Sequence, residues 1–169
     1  VFNLYELPFK DRRVWTTARE RLWAQYFLSR WAADTTVFLW TITQEYERYP
    51  CGQYKHEPDD DNWVRAMGSL HREFDPHRHP VTVHPWGGRG PAGREAVVES
   101  GAIGQRFGAG RELDVLTHQH NSYGTSRLVT KPLPGYQDGP AAGVEKAIWA
   151  DRKFNKPVIN TEYGYEWLE

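Results

Sequence analysis

One cysteine, Cys51, is all the sequence contains, so no internal disulfide can form. Lysine and arginine number 21 against 22 aspartates and glutamates, leaving a net charge of −1. No basic excess is therefore available to displace counterions from phosphate, which argues against a nucleic-acid partner. No apolar run approaches the ~20 residues a bilayer-crossing helix requires, so no membrane role is expected either. Internal repeats and low-complexity tracts are lacking. So are an initiating Met and a signal-like leader: the chain starts at Val1, and we expect it to be a piece of something longer. What remains is one globular domain spanning 1–169, long enough for a sizeable core.

Aromatic residues, by contrast, are abundant: eight Trp, nine Tyr and seven Phe. Flat apolar faces edged by polar groups suit sugar rings, whose C–H faces stack on them. Trp15, Trp23, Trp31 and Trp149 read as core. Trp86, Tyr123, Tyr163 and Trp167 follow expected strand ends and are candidates for lining a pocket.

Periodicity sets the order of elements. Residues from about Arg13 to Ala33 read as a helix whose apolar stripe is Trp15, Ala18, Leu22 and Tyr26. Val37 to Thr43, β-branched and aromatic, reads as a strand. Asp59 to Asn62 caps a second helix with the stripe Trp63, Met67, Leu70 and Phe74, ended by Asp75-Pro76. Pro80 to His84 is a short strand, followed by a weak helix around Arg94 to Val98 and a strand from Leu113 to His118. A long loop, 121–138, leads to a helix opened by Gly139-Pro140, and Lys156 to Glu162 forms the last strand.

Strict alternation of strand and helix calls for a parallel sheet covered by helices. A complete (β/α)8 barrel takes ~250 residues, so this length accommodates an incomplete TIM barrel. A small doubly wound sheet is the alternative, but its usual glycine-rich turn after the first strand is missing: Gln44-Glu-Tyr-Glu stands there instead.

Side chains alternate along a strand, which sorts them between barrel interior and helix layer. Thr41, Thr43 and Glu45 share one parity, and Phe38, Trp40 and Ile42 the other. In the last strand Val158, Asn160 and Glu162 share a face. Both strands thus end in a carboxylate expected to point inward at the carboxy-terminal rim, where this architecture assembles active sites. Two converging carboxylates can cleave a glycosidic bond without metal or cofactor, one as general acid, the other as nucleophile. Mutual repulsion helps keep the acid protonated near neutral pH.

These segments resemble a known group. Val37-Phe-Leu-Trp-Thr-Ile-Thr-Gln-Glu45-Tyr-Glu looks like the fourth-strand acid/base segment of clan A glycoside hydrolases. Lys156-Pro-Val-Ile-Asn-Thr-Glu162-Tyr-Gly-Tyr-Glu resembles their seventh-strand nucleophile segment. The similarity is greatest to the apiosidase-like branch, also described as collagen-binding or cellulase-like barrels, which shows a stretch like Asp75-Pro-His-Arg-His-Pro-Val-Thr-Val-His84 around its fifth strand. The resemblance implies coverage from roughly the third helix through the seventh strand, the remaining strands coming from the rest of a parent chain. It further implies extracellular or periplasmic action on a plant or bacterial polysaccharide or oligosaccharide. A retaining mechanism follows, with Glu45 as acid/base and Glu162 as nucleophile. The clan usually has Asn before the acid/base; here Gln44 stands there, keeping the amide on a longer arm. Adjacent strand residues oppose each other, so Gln44 and Glu45 share a pocket only if the strand bends.

Further substrate-binding candidates sit at strand ends. His84 has the parity of Thr82, and its alternative is a histidine satisfied by backbone partners. His118 and His120 share one parity, taken here as facing the mouth. Tyr123 could hold Glu162 ionised through its phenol, or simply pack a loop. Trp86, in His-Pro-Trp-Gly-Gly, offers a stacking platform. His118-x-His120 also admits a metal-dependent barrel hydrolase, although His77-x-His79 precedes a strand and so belongs to the opposite rim. A noncatalytic carbohydrate-binding barrel is the remaining alternative.

Overall fold

The computed structural model describes residues 2–5, 17–44, 46, 58–85, 103–119 and 148–162. Five strands, β1 (Phe2–Tyr5), β2 (Trp40–Thr43), β3 (Val81–Thr82), β4 (Leu116–Gln119) and β5 (Val158–Glu162), are separated by helices α1 (Thr17–Trp31), α2 (Pro58–Phe74) and α3 (Ile103–Phe107). Residues 148–151 are helical and run into a tight turn, Arg152–Phe154, before β5.

All assigned strand pairs are parallel. β1 pairs with β2 (Phe2 with Trp40, Tyr5 with Thr43), and β2 with β3 (Trp40 with Val81). β4 pairs with β5 (Leu116 with Val158). The two sheets meet at the β3–β4 seam, where the amides of Asp114 and Val115 reach the Val81 carbonyl at 2.8 and 3.3 Å. There the Thr82 hydroxyl donates to the Val115 carbonyl at 2.8 Å, and that of Thr117 to the Val83 carbonyl. Strands therefore follow one another in space in the order they occur in the chain.

Both β1 and α3 go beyond what periodicity predicts. Four- and five-residue elements hold too few repeats to declare a period, and their pairing partners lie far along the chain. The expected helix at Arg94–Val98, the start of the Gly139–Pro140 helix and the 121–138 loop lie outside the described residues, as do Trp15, Tyr163 and Trp167.

The core lies between sheet and helices. Trp40, fully buried at the start of β2, meets Phe27 of α1 edge-on at 5.7 Å and the His79 ring at 6.0 Å. Ile42, Val81, Val83 and Leu116 join it beneath Ala24, Leu28, Val64, Met67 and Phe107. Each such large side chain contributes roughly 1.5–3 kcal/mol on burial. The α2 stripe packs inward as expected, with Val64 and His71 added to it.

On α1 the inward face differs from the expected stripe. Ala24, Leu28 and Ala32 are buried with Trp23 and Phe27 packed beside them, whereas Leu22 is 66% exposed and Tyr26 56%. Apolar residues occupy most of the circumference of α1, so position alone does not choose a face. Trp31 and Trp149, expected in the core, are exposed. Trp149 is covered by the Arg152 guanidinium at 4.4 Å instead.

The amino-terminal ends of the strands are fastened by polar side chains. Asp75 ends α2 and accepts hydrogen bonds from the Trp40 indole and from the His77 and His79 amides, each at 2.9 Å. Asp114 takes the Val81 amide on one oxygen and the Arg72 guanidinium on the other. The Lys156 ammonium donates to the carbonyls of Phe107, Gly110 and Leu113 at 3.1, 2.6 and 2.7 Å. Among the described residues, no helix is long and apolar enough to cross a membrane.

Candidate active site

The carboxy-terminal ends of β2 and β3 stay laced together past their ladder. The His84 amide donates to the Thr43 carbonyl at 3.0 Å, and the Tyr46 amide to the His84 carbonyl at 3.1 Å. Residues on both sides of position 45 are thereby fixed. Glu45 itself lies outside the described residues, as do Trp86, His120 and Tyr123. Gln44, directly after β2, is exposed.

Tyr46 is a residue that sequence reading passed over. It is fully buried, its ring edge-on to Phe107 at 5.8 Å. Its hydroxyl donates to the Asp61 carboxylate at 3.2 Å and accepts from the Arg106 guanidinium. A helix-facing residue is thus nailed down immediately after position 45. The only signal in the sequence was an aromatic placed one past the strand-end acid.

His84 continues the face of Thr82, while Val81 and Val83 join the helix-side core. Burial pushes its pKa down to about 4, so the imidazole is neutral at pH 7 and can act there as a hydrogen-bonding group, not as a cation.

His118 is placed differently from the expectation that it faces the mouth. Its Nε2 lies 3.0 Å from Asp151 Oδ2, and both residues are buried. Leu116 belongs to the helix-side core, and alternation puts His118 on that same side, while Thr117 shares the opposite face with Thr82. A histidine is tolerated in that layer because the Asp151 side chain supplies a hydrogen-bonding partner. Asp151 in turn fits because Gly104 of α3 has no side chain: a Cβ there would overlap the Asp151 carboxylate. Neither partner could be paired from sequence, since they stand 33 residues apart.

Glu162 is the last residue of β5. The pairing runs regularly through His118 with Asn160, then shifts so that Gln119 meets Glu162 and Thr161 is passed over. The Thr161 hydroxyl donates to the His118 carbonyl at 3.0 Å at that step. Val158 packs against the helix-side core, so the expected inward set of Val158, Asn160 and Glu162 does not hold along the whole strand; the register shift intervenes before its last member.

The elements thus bring Gln44, His84 and Glu162 to the carboxy-terminal ends of β2, β3 and β5. His77 and His79 lie at the other rim, with His79 Nδ1 2.8 Å from Asp75 Oδ2. Among the described residues, no group of three His, Cys, Asp or Glu side chains is placed to hold a metal ion. The chain matches no family model, no curated protein and no solved structure.

Proposed function

We propose that this chain is part of the catalytic (β/α)8 barrel of a retaining glycoside hydrolase acting on a polysaccharide or oligosaccharide. The observation that carries the reading is the strand order. Five strands ascend side by side in chain order, as successive barrel strands do, whereas a doubly wound sheet reverses its order at a switch point. In such an order every carboxy-terminal strand end falls on one rim. On this reading the ends of β2 and β5 share that rim; Glu162 closes β5, and Glu45 follows Thr43 by two residues in the sequence. With β1 included, the described strands correspond to the third through seventh of a barrel.

The chemistry follows from two carboxyl groups. Glu162 attacks the anomeric carbon while Glu45 gives its proton to the departing glycosidic oxygen. Glu45, now a carboxylate, then takes a proton from water, which displaces Glu162 and retains the configuration. Neutral His84 is suited to hydrogen-bond a sugar hydroxyl, and Gln44 to take the place of the usual asparagine.

Aryl glycosides test the reading. Release of the aryl alcohol by the parent protein that supplies the remaining barrel strands, lost by about 10³-fold or more in Glu162→Gln, is the expected outcome. Equal inactivity of both proteins with glycan binding intact would point instead to a noncatalytic carbohydrate-binding barrel.

A further inference from the structure

We infer that Thr161 is a positioning residue: its hydroxyl, seated on the His118 carbonyl, holds the extra residue in β5 that sets Glu162 opposite Gln119. The catalytic consequence rests on the glycosidase reading above, whereas the register itself does not.

Side chains in a strand repeat every two residues, so a slip of one exchanges the two faces of everything beyond it. Val158 packs against the helix-side core. Uninterrupted alternation would assign Asn160 and then position 162 to that same side, away from any pocket at the barrel mouth. The register shift breaks the sequence of faces. With Thr161 passed over, position 162 becomes the partner of Gln119, two residues beyond Thr117. Thr117 lies on the face that carries Thr82, the two hydroxyls being 3.5 Å apart. One inserted residue therefore sets the backbone register of the strand-end glutamate, the use to which bulges beside active sites are put.

Two contacts hold the step in place. Thr161 is exposed, so its hydroxyl acts through the 3.0 Å bond to the His118 carbonyl and not by filling a core. His118 is pinned from the other side by buried Asp151, for which Gly104 leaves room. β4 is thereby tied to the helix layer and cannot follow β5 if that strand slides. A side chain that cannot donate would leave the His118 carbonyl to be satisfied by the regular ladder, and that ladder would set position 161, not Glu162, opposite Gln119.

Thr161→Val removes the donor at nearly constant shape, and Thr161→Ser keeps it. In the parent protein that supplies the remaining strands, cross-strand backbone nuclear Overhauser contacts report the register directly. Wild type and T161S are expected to show Gln119 facing Glu162, and T161V to show Gln119 facing position 161. On an aryl glycoside, kcat should fall about 10²-fold in T161V with KM within about twofold, and T161S should recover most of it. If T161V does not fold, Thr161→Ala, which also lacks the donor, is read in the same way. Retention of the Gln119–Glu162 contact in T161V or T161A, or a T161S variant as impaired as T161V, overturns the inference. A wild type that cleaves no aryl glycoside, yet whose register still slips in T161V, supports the positioning role and sinks the hydrolase reading.

Discussion

Asp75 sets how the amino-terminal rim responds to acid. Burial raises the pKa of its carboxyl group, but the bonds from the Trp40 indole, the His79 ring and the His77 and His79 amides outweigh that, and the net value lies below the ordinary one. A carboxylate with a depressed folded pKa contributes stability that is present above about pH 4 and is lost as pH falls through its folded value. Asp75→Asn should therefore cost about 2 kcal/mol at pH 7 in urea unfolding, with the difference from wild type shrinking toward pH 2. The buried histidines act in a higher window. Burial lowers His71 and His84 to about 4 each, so the neutral rings contribute stability that is whole above about pH 6.5 and lost as pH falls through 4. Each should add up to about 1.4 kcal/mol per pH unit to the slope of unfolding free energy across that window. His71→Met should remove one such contribution, and a slope equal to that of wild type would count against it. The exposed Arg21–Glu73 pair between α1 and α2 is a contrast: solvent screens it, and Glu73→Ala should leave the urea midpoint close to that of wild type.

At the scale of elements, the two faces of α1 make a clean comparison. Leu28→Ala should cost about 2–5 kcal/mol in denaturant unfolding, whereas Leu22→Lys and Tyr26→Lys should each stay within about 0.5 kcal/mol. Gly104→Ala drives a methyl group into the Asp151 carboxylate and should cost about 3 kcal/mol; adding Asp151→Ser should give a non-additive cycle, with relief of the clash offset in part by loss of the His118 partner. These contacts mark where the sequence could and could not be read. The four strands given by β-branched runs and the α2 stripe were legible because each repeats its pattern over several residues. Strand cores proved shorter than those runs, since pairing ends where a neighbour ends: Val37 and Leu39 are buried but precede the ladder of β2. Glu162 was legible as a strand-end acid. The step that fixes its register was not, because a bulge is a property of two strands and Thr161 looks like any β-branched strand residue. His118 was misjudged for a related reason: alternation separates two faces but does not say which is inside, and here a distant aspartate decided it.

At the largest scale, the described strands follow chain order through two parallel sheets joined at the β3–β4 seam, with β1 and β5 outermost among the described residues. Under the proposed barrel, both edges would pair with further strands, and the 169-residue chain alone should unfold broadly and bind an apolar dye such as ANS. A single sharp transition with equal calorimetric and van't Hoff enthalpies would contradict an incomplete barrel.

Asp75, Asp114 and Lys156 clasp the helices to the sheet where the strands begin, well away from where they finish. Such a division leaves the far rim open to tinkering: its connecting segments could be lengthened, traded or re-sequenced over generations without loosening the seams. If the glycosidase proposal holds, a protein built this way could change its diet of sugars while keeping the same chassis.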